Sequence, residues 1–356
     1  MSLNDSIEPH PQSPNLEFGP LTALVVSLLI GAALGVAFLS FFFKSIPTDV
    51  ARLGVLTRAL ADQKPGPSLV VFGNSAMMSG FDANALRQFS PDAPLAWNCA
   101  STGQTLTEAA LLTQELPDSV VRVVYALQLR AGPSDELIHP NKFNTFFMNG
   151  LRPTSDTTEM LRALGDRDLN DLLEESWLEQ TLASRWAVRQ LIDRTSRELL
   201  RSDLELERAT IDLFHPQAYA KPIQESITTR FIAGRNEAYS EKSAMLPVET
   251  LDLARSLAEL GAAAGRETIF IFPPSHPGMA GPNQAAFSKV IEDFRSELLP
   301  LAGTYVFSAI DLLPQSEFID DMHPTDAGAL RLTAHLARFF EKLDTDTSDA
   351  ETKGAQ

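Results

Sequence analysis

Apolar positions fall along the chain in blocks. Short, continuous apolar runs rich in Val, Ile, Leu and Phe occur at Ser68–Gly73, Leu95–Cys99, Val120–Leu127, Glu267–Phe272 and Thr304–Ser308. A strand buried on both faces reads this way, because neither side of it meets water. Between these runs the apolar residues recur at helical spacing, over Ala83–Phe89, Thr105–Leu116, Val248–Ala264, Asn283–Leu299 and Thr325–Lys342. Strand and helix in alternation predict an α/β fold. The expected architecture is a three-layer α/β/α sandwich around a mostly parallel sheet of about five strands.

The alternation breaks once. From about 128 to 247 the pattern holds no convincing buried strand and is amphipathic helix instead, notably Asp168–Ser184 and Trp186–Leu213. A helical insertion behind the third strand is expected, with Phe146, Phe147, Trp177 and Trp186 as its packing residues. Such insertions build a wall or lid over a site, or a plain structural subdomain.

Both ends have a different texture. Residues 1–18 are polar with Pro9, Pro11 and Pro14, and 343–356 are polar, so both read as disordered tails. Residues 19–43 carry no charge at all. A helix needs about 20 apolar residues to cross the hydrocarbon core, so this run predicts a single N-terminal transmembrane helix. Residues 44–66 read as a juxtamembrane helix and linker, and 67–342 as the folded domain. Lys44, Arg52, Arg58 and Lys64 follow the span while no Lys or Arg precedes it. Taken alone, that asymmetry puts the C-terminal side in the cytoplasm.

Composition narrows the class. The 356 residues are 44% apolar and carry a formal charge of −17, which argues against nucleic-acid binding. The one cysteine, Cys99, excludes an internal disulfide framework and a cysteine-based zinc site. No His or carboxylate grouping has metal-ligand spacing, and no cofactor is expected.

Candidate chemistry gathers where strands end. The first strand runs into Gly73-Asn74-Ser75 and a helix comes next. Ser75 there reads as an exposed nucleophile or as a helix cap. Near the other end, Asp320 and His323 stand three apart on one tight turn before the last helix. A serine nucleophile needs a base and the base needs an orienter. Asp320 has the spacing to reach His323 Nδ1, and Asp321 does not; the pair also reads as a simple turn. Asp326 is expected to cap the last helix. In "WNCASTGQT", Asn98 ends the second strand and Gly103 sits in the loop beyond it. A Gly103 N–H beside the Ser75 N–H would make an oxyanion hole. After the fourth strand, "FPPSHPG" holds Ser275 and His276 on the same edge.

Taken in order, Gly73-Asn74-Ser75, the Asn98 to Gly103 block and Asp320-x-x-His323 resemble the SGNH (GDSL-type) hydrolase superfamily, over about residues 67–342. The resemblance is to its membrane-anchored branch, which includes polysaccharide O-acetylation proteins of the alginate type and the D-alanyl-lipoteichoic-acid transfer protein. The family's third block, Gly-x-Asn-Asp after the third strand, is absent. Gln128 offers the same kind of amide at that strand's exit. The resemblance implies Ser75, His323 and Asp320 as a catalytic triad, with Ser75, Gly103 and Gln128 as oxyanion donors. Asn74, Asn98 and His276 would line the substrate site. It further implies O-acetyl transfer to an exported or cell-surface polysaccharide through an acyl-serine, or ester hydrolysis by the same residues, or a non-catalytic subunit of a polysaccharide-modifying complex. The expected partners are that polymer, a multi-span membrane-bound O-acyltransferase and the bilayer around 19–43. The expected place is the bacterial inner membrane with the domain extracytoplasmic, against the local charge asymmetry.

Overall fold

The computed structural model describes residues 22–31, 34, 49–62, 66–90, 95–132, 151, 153–163, 225–246 and 249–354. The chain divides into two compact units, Met1–Phe42 and Phe43–Gln356. In the first, residues 22–31 and 34 are helical. The expected span over 19–43 is described only there, and among the described residues no helix is long and apolar enough to cross a membrane. The amphipathic helices expected over Asp168–Ser184 and Trp186–Leu213, and Phe146, Phe147, Trp177 and Trp186, lie outside the described residues.

The second unit is an α/β fold. Its main sheet has five strands, all parallel: β1 (Leu69–Phe72), β2 (Ala96–Asn98), β3 (Arg122–Ala126), β6 (Glu267–Phe272) and β7 (Thr304–Ser308), in the order β2-β1-β3-β6-β7. Every expected strand is there, with β1, β2 and β3 trimmed by a residue or two at their ends. Side chains alternate between two separate cores. Val70, Phe72, Val123, Tyr125, Phe270 and Phe272 enter one; Leu69, Val71, Val124, Ile269 and Ile271 enter the other. Phe72, Tyr125 and Phe270 are in register on neighbouring strands and stack at 5.7 Å, a rigid aromatic row near the strands' C-terminal ends.

Helices cover both faces. The first core is closed by α1 (Asp49–Asp62), α4 (Leu106–Thr113), α7 (Thr250–Ala263) and α8 (Pro277–Leu298). The second is closed by α2 (Ser75–Gly80), α3 (Ala83–Phe89) and α9 (Asp326–Gly354). Counting only the strands of this sheet, the order is 2-1-3-4-5. In such a sheet the connections leave in opposite directions from the first and third strands, and a crevice opens outside their C-terminal ends.

Three expectations change. The segment 44–66 is not merely a linker: Leu53, Leu56 and Leu60 of α1 are buried in the first core, so the domain begins before residue 67. The helix expected from Asn283 begins at Pro277 and passes through Pro282. Pro282 cannot donate to the Gly278 carbonyl four residues back. That carbonyl instead accepts from Asn236 Nδ2 at 2.9 Å, so a side chain from the insertion fills the gap. Finally, α9 runs to Gly354, through most of the tail read as disordered. Leu343 is buried there and Asp344 holds Arg122 at 2.6 Å.

The insertion is closed at its neck by a short antiparallel pair, β4 (Arg130–Ala131) with β5 (Ala244–Met245), where no strand is expected. Its described helices are α5 (Ser155–Ala163) and α6 (Glu225–Lys242). The α6 helix lies on α8 through Asn236 and through Tyr239, whose ring meets Phe287 edge-on at 5.0 Å.

Candidate active site

The site forms at the C-terminal ends of β1 and β3, where the connections diverge. A Cβ on Gly73 would come within 2.6 Å of the Ala126 Cβ, so only glycine lets β1 pass β3 this closely. Asn74 then caps α2: its Oδ1 accepts from the Ala76 N–H at 3.0 Å, and its carbonyl accepts from Met77 and Met78. Capping therefore falls to Asn74, and Ser75, the first helical residue, keeps its hydroxyl for other work. The Ser75 N–H has no intrahelical acceptor at this position.

The second piece is the turn before α9. Phe318 bridges Pro324, the Ile319 N–H donates to the His323 carbonyl at 2.8 Å, and the Thr325 N–H donates to the Glu317 carbonyl at 2.9 Å. Arg331 grips the Glu317 carboxylate with three contacts of 2.6 to 2.9 Å. Thr325 Oγ1, not Asp326, accepts from the Gly328 N–H, so Asp326 sits in the first turn beside the cap.

This turn brings three side chains into line. His323 Nε2 lies 2.8 Å from Ser75 Oγ, across 248 residues of chain. His323 Nδ1 lies 2.6 Å from Asp320 Oδ2. Asp320 Oδ1 accepts from the Met322 and His323 N–H groups, both at 2.8 Å. Ser75, Asp320 and His323 are each under a tenth exposed. Burial alone would raise the Asp320 pKa, but the bond to His323 and the two backbone donors outweigh it and hold the carboxyl below its ordinary value. The carboxylate therefore stays charged, keeps the proton of the ring on Nδ1 and turns Nε2 toward Ser75 as an acceptor. Asp321 faces away and pairs with Arg235 of α6.

Gly103 lies in the turn after β2 with φ 58°, a left-handed conformation that favours glycine. Asn74, Gly103 and Gln128 line one cavity of about 70 Å³, with Thr105, Arg130 and Thr250. Gln128 Oε1 accepts from Asn74 Nδ2 at 2.7 Å, and its Nε2 makes no hydrogen bond among the described residues. A smaller apolar cavity of about 20 Å³ adjoins Asn74 and Gln128 on the Met322 side, walled by Leu127, Met279 and Ile310.

Two expected substrate residues have other duties. Asn98 is fully buried: its Nδ2 donates to the Met77, Met78 and Phe81 carbonyls and its Oδ1 accepts from the Ala100 N–H. It ties the end of α2 to β2 and has no polar atom left for a ligand. His276 caps α8, its Nδ1 accepting from the Gly278 N–H at 3.0 Å, and packs on Phe318. Burial lowers its pKa against the pull of Asp321 and Asp320, so the ring is neutral. Ser275 lines the smaller cavity.

Several residues that shape the site carry no local signal in the sequence. Gln104 bridges β1 and the Gly103 turn, its Oε1 accepting from the Gly73 N–H at 2.6 Å and its Nε2 donating to the Cys99 carbonyl at 3.2 Å. Glu317 and Arg331 pair around the turn, and Arg235 reaches in from the insertion. Each partner is distant in sequence or outside any helical or strand period. Among the described residues no group of three His, Cys, Asp or Glu side chains is arranged to hold a metal ion. Compared with models of protein families and with curated proteins, the chain matches none.

Proposed function

We propose that this protein is a membrane-anchored acyl-ester enzyme of the SGNH type, which transfers an acetyl group through an acyl-serine to a hydroxyl of an exported or cell-surface polysaccharide. The observation that carries the reading is the unbroken chain from Ser75 Oγ through His323 to Asp320, set at the crevice where β1 and β3 diverge.

The positions of these groups set the chemistry. His323 Nε2 takes the Ser75 proton as Oγ attacks the donor carbonyl, and Asp320 stabilises the imidazolium that forms. The carbonyl oxygen becomes an oxyanion facing the Ser75 and Gly103 N–H groups, with the Gln128 Nε2 as a third donor where the family's asparagine is absent. Collapse expels the donor's leaving group, which takes the proton from His323. A sugar hydroxyl then enters, gives its proton to His323 and attacks the acyl carbonyl; as the bond to Ser75 Oγ breaks, His323 returns that proton to Oγ and the sugar leaves as the ester. The apolar cavity beside Met322 suits a short acyl chain, and the cavity lined by Gly103, Thr105 and Thr250 suits a hydroxyl-rich acceptor. In this reading residues 19–43 anchor the chain in the bacterial inner membrane, the domain is extracytoplasmic, and a multi-span acyltransferase supplies the acyl group.

The test is covalent trapping. The purified full-length chain is incubated with p-nitrophenyl acetate and its intact mass read after rapid acid quench. An acetyl adduct in the wild type, absent in Ser75→Ala, is the expected result; no adduct in the wild type overturns the enzymatic reading. Product analysis with and without an oligosaccharide acceptor separates transfer from hydrolysis. A C-terminal alkaline phosphatase fusion that is inactive in cells overturns the topology.

A further inference from the structure

The segment before residue 67 contributes more than packing. Arg52 of α1 is buried, 4% exposed. Its Nε donates to the Ala100 carbonyl at 2.7 Å and its Nη2 to the Asn98 carbonyl at 2.8 Å. Among the described residues β2 is an edge strand, paired with β1 alone. The Cys99 N–H faces β1 and donates to the Val71 carbonyl at 2.8 Å. The carbonyls of Asn98 and Ala100, one residue to either side, therefore face away from the sheet, where no further strand among the described residues offers them a donor. The fork of the Arg52 guanidinium stands in for that strand.

Beyond Ala100 the chain enters the turn that carries Gly103. The turn is tied to Gly73, just past β1, at both ends: the Ser101 N–H donates to the Gly73 carbonyl at 2.9 Å, and the Gly73 N–H donates to Gln104 Oε1 at 2.6 Å. Gly73 is two residues from Ser75. Segment 98–104 is thus held between Arg52 on one side and Gly73 on the other, with Gly103 between the attachments. The Asn98 side chain also holds the carbonyls of Met77, Met78 and Phe81, so a shift of Asn98 is felt in α2.

We infer that Arg52 is a positioning residue for the oxyanion hole, setting the Gly103 N–H relative to the Ser75 N–H by clamping the edge of β2. The inference rests on the reading of Ser75 and Gly103 as oxyanion donors. Arg52 touches no reacting atom. Its fork geometry is what the two carbonyls require, and the point charge of a lysine ammonium does not reproduce it.

The experiment uses the full-length chain in detergent, with Arg52→Gln, Arg52→Lys and, as a packing control on the same helix, Leu60→Ala. Leu60 is fully buried and lies about two turns from Arg52. Turnover of p-nitrophenyl acetate is measured well below each thermal midpoint. Removing one oxyanion donor lowers kcat by about 100- to 1000-fold, and misplacing one forfeits part of that, about 10- to 100-fold. Arg52→Gln is expected in that range, with KM within about threefold, because the lost interaction is made to the transition state. Arg52→Lys should fall between it and the wild type. Leu60→Ala should lower the midpoint and leave kcat unchanged.

A second readout does not depend on activity. Cys99 is the one cysteine of the chain and is fully buried in segment 98–104. Burial pushes its pKa up to about 12, and Arg52 opposes that rise. Removing Arg52 therefore makes the thiolate scarcer, so faster alkylation by N-ethylmaleimide in Arg52→Gln reports exposure of the loop and not electrostatic activation. Faster Cys99 alkylation together with the selective fall in kcat supports the role. Unchanged alkylation with kcat within twofold of wild type overturns it. So does a fall in kcat in Leu60→Ala as large as that in Arg52→Gln. If the wild type forms no acyl-serine while Arg52→Gln still speeds alkylation, Arg52 holds the loop and it is the enzymatic reading that fails.

Discussion

Replacing Asp320 by Asn tests the triad with little change of shape. The wild-type carboxylate accepts three hydrogen bonds: His323 Nδ1 on one oxygen, and the Met322 and His323 N–H groups on the other. An asparagine has only one accepting oxygen. Two backbone donors compete for it at one position and a single ring nitrogen at the other, so the amide oxygen goes to the backbone and the NH2 group faces Nδ1. The NH2 can only donate. Nδ1 must then be the unprotonated nitrogen, and the proton sits on Nε2, pointing at Ser75 Oγ. The imidazole has become a donor where a base is needed. Loss of the correct tautomer costs about 10⁴-fold in kcat in such a triad, or about 5 kcal/mol of barrier. Folding is affected too, because charge-assisted bonds are lost, at about 1.5–3 kcal/mol each. The Asp320 carboxyl sits below its ordinary value, so between the folded and unfolded pKa values the unfolded chain binds more protons. Its stabilisation is therefore complete above the ordinary value of about 3.9 and is lost as pH falls through the lower folded value. The wild type should be more stable than Asp320→Asn at neutral pH, and the gap should close in strong acid. The assays are acyl-serine formation by mass, ¹⁵N shifts of the His323 ring and denaturant unfolding from neutral to acid pH. An Asp320→Asn protein that keeps its proton on Nδ1 and acylates within tenfold of the wild-type rate would refute the reasoning.

Two further outcomes concern the frame around the site. A Cβ on Gly328 would lie 2.6 Å from the Glu317 carbonyl and 3.1 Å from Pro324 Cβ, so Gly328→Ala must push the His323 turn off α9. A loss of about 1–3 kcal/mol is expected by denaturant unfolding, with slower labelling of Ser75 by a fluorophosphonate. Truncation after Lys342 removes the buried Leu343 and the Asp344 contact to Arg122, which keeps Glu267 at 2.6 Å. Asp344 is well exposed and contributes little. The Leu343 burial dominates, so thermal unfolding should show a loss of about 2 kcal/mol; an unchanged midpoint would mean that the helix beyond Lys342 adds nothing.

Much of the fold is legible in the sequence because burial on both faces leaves a strong local mark. Runs such as Leu69–Phe72 and the Ile269–Phe272 part of β6 have no polar residue to place in water, so strand identity survives without any tertiary information. The α1 helix is harder to read as part of the domain. Its buried residues, Leu53, Leu56 and Leu60, have helical spacing, but nothing local says which core they enter. The helix through Pro282 is harder still, since the group that satisfies the Gly278 carbonyl comes from Asn236, in another part of the chain.

The candidate site divides along the same line. Residue types at strand ends are a local matter: Ser75 after β1, Gly103 after β2, and Asp320 three before His323 can all be picked out by eye. Their duties are not local. Sequence alone leaves Ser75 open between cap and nucleophile; in the fold the cap goes to Asn74 and His323 Nε2 lies 2.8 Å from Ser75 Oγ, the geometry on which the proposed nucleophile rests. Asn98 and His276 stand at the right edge, yet the Asn98 amide and the His276 Nδ1 are taken by neighbours that no spacing rule reveals. A side chain's type and its place on a strand or helix are set by periodicity within a few residues. Which hydrogen-bond partners it meets depends on chain closure across hundreds of residues, and that is settled only when the two cores pack.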